Sequence, residues 1–589
     1  MILQSTPSIV TGGLASRPLR LESPAVPRFG LLALLAIGYV VLNACKPVHM
    51  DDAYFWRYAK QIAGHPLDPY GFSLLFYDTP VPANHTVAPP VFLYWWAGAI
   101  AFFGDSPFLW KLWLLPLALV LVASLDALCR RFCRGIELPI VCLLVLSPAL
   151  LPSLNLMTDV PALALGLAAV ALTMRAVDHR SVVTAIYAGA VAGLAMQTKY
   201  TAFVVILAML LYAATRGEWQ LWLLAAFVAL LVFASWEMFT FLRYGESHFL
   251  YQVENRPGIA PLTKWVLLGP LIVYLGGLAP TLVFIGFVAA GVRRGALVMA
   301  CLLVALGYAI VAYAPGCALG SMNIDVNPAP GRITWNQLIF GSEGILALTL
   351  CVAAAWSASK KFPDEPRGPI RRLPDLDSWF LLGWLACEVA GYFILSPFPA
   401  TRRMLGIVVV ATLLLGRWAA RTCRDRGGPR PVHALAAFGI LLGLAFYGVD
   451  LREAMADRDA VAIALERIRR EDRTPRIWYA ANWGFEFYAE RAGMRQFVPQ
   501  GGGHALFFEL PGRHRVPALE PTKLRKGDWV VIARESMPFP AVERIGVGDD
   551  VPLQTVRCYY AGYTPIEQHR GYRVEARIAR IRGDVLPVR

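Results

Sequence analysis

The chain has 589 residues, 57% of them hydrophobic and 16% charged, with a mean hydropathy of +0.50, which excludes an ordinary water-soluble enzyme. Its formal charge of +14 does not indicate nucleic acid, because the basic residues form short clusters between apolar runs, where a polytopic membrane protein carries its cytoplasmic loops. The ten cysteines lack CxxC pairs or metal-ligand spacing and argue for neither zinc nor a disulfide framework.

Residues 1–28 read as a cytoplasmic tail rich in Pro and Ser, carrying Arg17, Arg20 and Arg28 ahead of an uncleaved signal-anchor helix at 29–45. Further apolar segments fall at 107–128, 137–152, 160–176, 182–198, 200–214, 219–241, 264–291, 296–314, 338–357, 378–395, 404–419 and 432–449, about 13 spans in all. With the tail inside, the positive-inside rule requires basic clusters after every second span. Arg130, Arg131 and Arg134, then Arg175 and Arg180, Arg216, Arg293 and Arg294, Lys360 to Arg372, and Arg417 to Arg430 meet it. The tight turn this topology needs between 182–198 and 200–214 puts Lys199 outside.

A membrane domain over 29–449 therefore carries a long first outer loop, 46–106. Two surface helices are predicted within it, at 53–63 and 91–103, with aromatic-rich Phe92 to Trp96 at headgroup depth. The loop opens on Lys46-Pro-Val-His-Met-Asp-Asp-Ala-Tyr-Phe-Trp56, which sets Asp51 and Asp52 at a membrane surface. Asp159, Lys199, Arg402 and Arg403 reach the same side. Each has an ordinary reading, with the aspartates capping helices, the lysine snorkelling and the arginines binding lipid phosphate. Together they put three carboxylates and three cations on the rim of one bundle face, and ionisable residues there are functional candidates.

Residues 450–589 are charged and contain no apolar run long enough to cross a membrane. Strands at Arg476–Ala480 and Trp529–Ala533 and a short helix at Phe485–Gly493 predict a small extracytoplasmic α/β domain. Gly501-Gly-Gly-His504 lacks the Lys-Ser/Thr of a phosphate loop and reads as a plain loop.

The ordered series Met50-Asp-Asp-Ala-Tyr-Phe55, Pro89-Pro-Val-Phe-Leu-Tyr-Trp-Trp96, Met157-Thr-Asp-Val-Pro161 and Gln197-Thr-Lys-Tyr200 resembles the GT-C membrane glycosyltransferases of family 39. That family includes protein O-mannosyltransferases, lipid A aminoarabinose transferases and a galacturonosyltransferase-like bacterial branch. The resemblance runs over about residues 30–420. It implies a mainly α, polytopic helix bundle of GT-C type and transfer of a sugar from a polyprenyl-phosphate donor to a lipid, glycan or protein acceptor. Asp51 carries over as the acidic catalytic residue and Asp52 as its neighbour, with Lys199, Arg402 and Arg403 as cations for the donor phosphate. Asp159, Tyr54 and His85 would support them. Where the family often has His-Pro-Pro, this chain has Ala88-Pro89-Pro90, with His85 three residues earlier. Asp51 and Asp159 are the alternative ligands for a divalent cation, Mg or Mn, because hard oxygen donors suit either. The expected location is a bacterial inner membrane, with the site and the C-terminal domain outside. A lipid-linked-sugar transporter or flippase is the competing reading.

Overall fold

The computed structural model describes residues 25–76, 79–255, 267–313, 335–359, 375–396, 398–425, 428–499, 507–511, 514–534, 549–553, 556–558, 566–568 and 573–582. Arg17, Arg20, the Lys360 to Arg372 cluster and Gly501–His504 lie outside these residues.

The apolar runs become helices. Helix α1 (Ala25–Ala44) leads into the first outer loop, which contains α2 (Asp51–Gly64), the paired strands β1 (Ser73–Phe76) and β2 (Thr79–Pro82), and α3 (Pro90–Phe103). Both predicted surface helices are present. The strand pair was not expected, because Pro80 and Pro82 argue against a strand; a two-stranded ribbon tolerates them because its outer edges need no ladder partner.

The bundle continues with α4 (Pro107–Leu112), α5 (Leu115–Phe132), α6 (Glu137–Val145), α7 (Asp159–Asp178), α8 (Val182–Met196), α9 (Val204–Arg216), α10 (Trp219–Tyr244) and α11 (His248–Asn255). It closes with α12 (Leu268–Leu278), α13 (Thr281–Ala289), α14 (Arg294–Tyr313), α15 (Trp335–Ser359), α16 (Leu376–Leu395), α17 (Leu405–Asp425) and α18 (Arg430–Glu471). Among the described residues, seven helices are long and apolar enough to cross a membrane, or eight if the bent pair α12–α13 is one span; the other expected spans are shorter apolar helices. The expected span 264–291 is broken by 75° between α12 and α13, where Pro280 interrupts the helical hydrogen bonding. Beside this break α12 crosses α15 closely. A Cβ on Gly276 would lie 1.9 Å from the Phe340 carbonyl oxygen, and one on Gly344 the same distance from that of Ile272, so only glycine fits at either position.

Helices α7, α8 and α9 run up and down in succession. Arg131 pairs with Asp178 at the end of α7, Lys199 returns to Asp159 at its start, and Arg216 at the end of α9 reaches Asp377 2.6 Å away. The segment 182–214 is thus a tight pair and Lys199 sits at its turn. The arginine-rich ends of α5, α9 and α17 gather at one end of the bundle, and the starts of α2, α7 and α17 at the other.

Helix α18 is 42 residues long, about 63 Å at the α-helical rise and about twice the hydrocarbon thickness. The expected boundary at 449/450 falls inside this unbroken helix, whose polar second half supports the C-terminal domain. There β3 (Ile477–Ala480), α19 (Trp483–Arg491), β4 (Arg495–Gln496), β5 (Phe507–Glu509), β6 (Arg515–Pro517), β7 (Trp529–Ala533), β8 (Asp549–Leu553), β9 (Val556–Cys558), β10 (Ile566–Gln568) and β11 (Arg573–Arg580) follow. A five-stranded sheet runs β4-β3-β7-β11-β8, parallel on the β3 side and antiparallel at β11. Val461, Ala464 and Ile468 of α18 pack with Tyr479, Phe485 and Val531 in its core.

Candidate active site at one end of the helix bundle

Asp51 and Asp52 begin α2, where negative charge suits the helix dipole. Neighbours on a helix point about 100° apart, so adjacent carboxylates cannot share a direction. Asp51 is partly exposed and its Oδ2 lies 2.6 Å from Arg402 Nη1. Asp52 turns into the protein, fully buried, with its Oδ2 3.8 Å from Lys111 Nζ and 3.4 Å from the His49 backbone nitrogen. Burial pushes the Asp52 carboxyl above its ordinary range, and Lys111, His49 and Lys46 partly offset the rise.

The Asp52 side belongs to a closed network that fixes the loop. Lys46 Nζ lies 2.7 Å from Asp450 Oδ2, both side chains fully buried, and donates to the Pro152 carbonyl at 2.6 Å. Lys111 donates to the carbonyls of Lys46 and Pro47 at 2.7 and 3.0 Å. His49 Nε2 is 3.8 Å from Asp450 Oδ1. Desolvation lowers the His49 pKa, although Asp450 and Asp52 oppose the shift. The outer face of α2 is held as firmly. Arg57 pairs with Glu486 and Glu490 of α19 and donates to Tyr479 Oη at 3.2 Å, while Trp56 meets Phe487 edge to face.

The Asp51 side opens on a cavity of about 100 Å3 between α7, α9, α16 and α17. Lys199, Arg402, Arg403 and Asp159 form its polar end. Lys199 Nζ donates to Asp159, Arg402 Nη1 rests on Met157 Sδ at 3.6 Å, and the Arg403 guanidinium lies over the Phe398 ring. Residues from the first turns of α7, α9 and α17 also line it. Burial lowers the Lys199 pKa; Asp159 opposes the shift, and Arg403 and Arg402 add to it. Away from the charges the lining becomes Ala162, Leu163, Gly166, Val205 and Gly391. The result is a cavity with a cationic end and an apolar extension along the helices.

Of the sequence-predicted residues, Asp159, Lys199, Arg402 and Arg403 line the cavity, and Asp51 is joined to it through its contact with Arg402. Asp51, Asp52, Tyr54 and His85 are not among the lining residues. The Tyr54 hydroxyl meets that of Tyr58 at 3.1 Å, and His85 stacks on Tyr251 with Nε2 2.8 Å from Glu246 Oε1. Two residues of the cavity, Glu388 and Trp384, were not anticipated; Trp384 Nε1 donates to Glu388 Oε1 at 3.0 Å. The signal was a glutamate alone in the apolar run 378–395, and Lys111 likewise interrupts the apolar start of 107–128.

Among the described residues no group of three or more His, Cys, Asp or Glu side chains converges as a metal site. Asp51 and Asp159 are each already neutralised, by Arg402 and Lys199, with Arg403 alongside. Such a donor set, positive overall, does not fit a divalent cation.

A loop helix whose carboxylate pairs with an arginine of a cationic cavity, at one end of a set of long apolar helices, fits a polytopic membrane protein. Residues 87–239, from within the first loop through most of α10, match the family described as dolichyl-phosphate-mannose-protein mannosyltransferase. The matched segment includes Asp159 and Lys199 but neither Asp51 nor Arg402. No curated protein matches the sequence. Similar solved structures include the archaeal oligosaccharyltransferase AglB from Archaeoglobus fulgidus, in complex with an inhibitory peptide and a dolichol-phosphate, at 14% identity, covering 86% of this chain and 69% of that one with a TM-score of 0.48. ArnT from Cupriavidus metallidurans bound to undecaprenyl phosphate is similar at 15% identity, covering 94% and 97% with a TM-score of 0.41.

Proposed function

We propose that the chain transfers a sugar from a polyprenyl-phosphate donor to a hydroxyl-bearing acceptor at the outer face of a bacterial inner membrane. The observation that carries this reading is the contact of Asp51 with Arg402 at the mouth of the cavity, which brings a carboxylate and a phosphate-type site together. The donor phosphate takes the polar end, held by Lys199, Arg402 and Arg403, and its prenyl chain follows the apolar lining between α7 and α16. Binding draws Arg402 onto the phosphate and frees Asp51. Asp51 then accepts the proton of the acceptor hydroxyl as its oxygen bonds to the anomeric carbon. The bond from that carbon to the phosphate oxygen breaks, its electron pair leaves with polyprenyl phosphate, and the three cations stabilise the developing charge. A single displacement inverts the anomeric configuration.

Asp159 keeps Lys199 directed at the phosphate. The arginine-rich ends of α5, α9 and α17 lie opposite the cavity, which supports placing the cavity outside under the positive-inside rule. The test is release of polyprenyl phosphate from radiolabelled hexose- and pentose-bearing donors by the purified full chain with an envelope lipid extract as acceptor. Transfer by the wild type that falls in Arg402→Ala, with a raised donor KM, supports the reading. Absence of transfer with every donor refutes it.

A further inference from the structure

A second cavity, of about 410 Å3, lies at the opposite end of the bundle, where α5 ends, α16 begins and α17 ends. Its lining is unusual in charge. Arg131, Arg134, Arg417, Arg421 and Arg424 surround it with a single carboxylate, Asp377. The nearby acids are committed to the bundle. Asp377 holds Arg216 at 2.6 Å, Arg417 at 3.3 Å and Arg131 at 3.4 Å; Asp375 holds Arg417 at 2.7 Å and also Arg421; Asp178 holds Arg131. Three aspartates thus serve four arginines. Arg134 and Arg424, both exposed, have no acidic partner among the described residues and stand on either side of the space.

Packing explains the four paired arginines, which tie α5, α7, α9, α16 and α17 together. It does not explain two further guanidinium groups directed to the same cavity, because like charges there repel without a counter-anion. The space exceeds by about fourteenfold the roughly 30 Å3 share of one water, so it admits a group the size of a phosphate. It also lies at the ends of helices long and apolar enough to cross a membrane, where lipid headgroups would meet them. The helices that form it are membrane-spanning in length, and Trp379, two residues beyond Asp377, is half exposed on α16, as an interfacial anchor would be.

We infer that this inner-end cavity is a binding site for a phosphate group carrying net negative charge, with Arg134 and Arg424 closing on the ligand and Arg131, Arg417 and Arg421 forming its floor. Guanidinium forks match phosphate oxygens two at a time, and basic pockets between membrane helices on the cytoplasmic side suit anionic headgroups. The chemistry is shared by an anionic phospholipid and a soluble phosphate, and the site is separate from the outer cavity.

The test is native mass spectrometry of the delipidated full chain in detergent, wild type and Arg134→Ala/Arg424→Ala, titrated separately with phosphatidylglycerol, phosphatidylcholine and inorganic phosphate. Each surface arginine is worth about fivefold in affinity for an anionic headgroup, so the double variant should bind phosphatidylglycerol roughly thirtyfold more weakly. Phosphatidylcholine, with no net charge, should bind both proteins equally weakly. The same loss seen with inorganic phosphate but not with phosphatidylglycerol supports the site and assigns it a soluble ligand. Equal binding of both anions by wild type and variant overturns the inference, as does failure of the wild type to bind either. Because neither arginine has a protein partner among the described residues, the ligand-free variant should melt within about 1 °C of the wild type. If it does not, Arg134→Lys/Arg424→Lys, which retains charge, should restore both stability and anion binding; restored stability without binding again overturns the inference.

Discussion

Asp51→Asn is the most discriminating change, because it keeps the size of the side chain and removes only its charge. The pair it breaks, with Arg402, is partly solvent-exposed, 27% on the Asp51 side, so screening limits the stability loss to about 0–1 kcal/mol, and asparagine retains part of the helix-start role. The catalytic cost is larger. A well-placed general base supplies about 10²- to 10⁴-fold in rate, or roughly 3–5 kcal/mol in the barrier. The change also frees Arg402 from its carboxylate, which favours phosphate binding. The expected signature is therefore a kcat lower by about 10²- to 10⁴-fold with a donor KM unchanged or reduced, measured by initial-rate transfer from a radiolabelled polyprenyl-phosphate sugar at equal protein abundance. A role confined to positioning Arg402 would give the reverse, a raised KM with little change in kcat. That result would refute Asp51 as the base and transfer the question to Asp52 and Asp159.

Burial lowers the Lys199 pKa below its ordinary 10.5, so its proton is lost earlier as pH rises; donor KM should climb at alkaline pH in the wild type and stay flatter in Lys199→Arg, whose charge persists. Superimposable KM profiles between pH 7 and 10 would count against a phosphate role for Lys199. Lys46→Met leaves Asp450 buried without its main partner and should cost about 3–5 kcal/mol, most of it regained in Lys46→Met/Asp450→Leu; thermal unfolding of the purified chain checks both, and a loss below about 1 kcal/mol in the single variant would contradict the burial argument. In Gly484→Ala the added Cβ would come 2.8 Å from His49 Cα and 3.2 Å from the Met50 nitrogen, backbone that cannot yield easily. Protease susceptibility at the linkage of α19 to the first outer loop should rise and transfer activity fall, whereas wild-type values for both would show that the docking is dispensable.

How much was legible depended on whether the controlling force was local. Hydropathy placed the helices because burial in lipid demands long apolar runs, and α7, expected over 160–176, occupies Asp159–Asp178. The charged corners of the outer site were also legible, since Asp159, Lys199, Arg402 and Arg403 interrupt or border those runs. The division of labour between Asp51 and Asp52 was not. It depends on which side of α2 meets Lys111 and Asp450, and the Lys46–Asp450 contact joins residues 404 positions apart. Helix α18 shows the opposite limit, because hydropathy registers only its apolar half and gives no sign that the helix continues unbroken into the C-terminal domain.

That continuity gives the distal domain a mechanical reason to exist. A base must be held to within a fraction of an ångström of its working position, and Asp51, the proposed base, sits on a helix carried by a loop and not by the bundle itself. Two independent anchors remove its freedom: the polar half of α18 supplies Asp450 to Lys46 immediately before α2, and α19 supplies Glu486 and Glu490 to Arg57 one and a half turns after Asp51. Both anchors come from residues C-terminal to the last apolar run, and both leave the Asp51 face of α2 uncovered toward Arg402. The helix is therefore clamped on its back and start while its Asp51 face stays open, an arrangement in which the C-terminal domain would act on the proposed chemistry through α2 without itself lining the cavity.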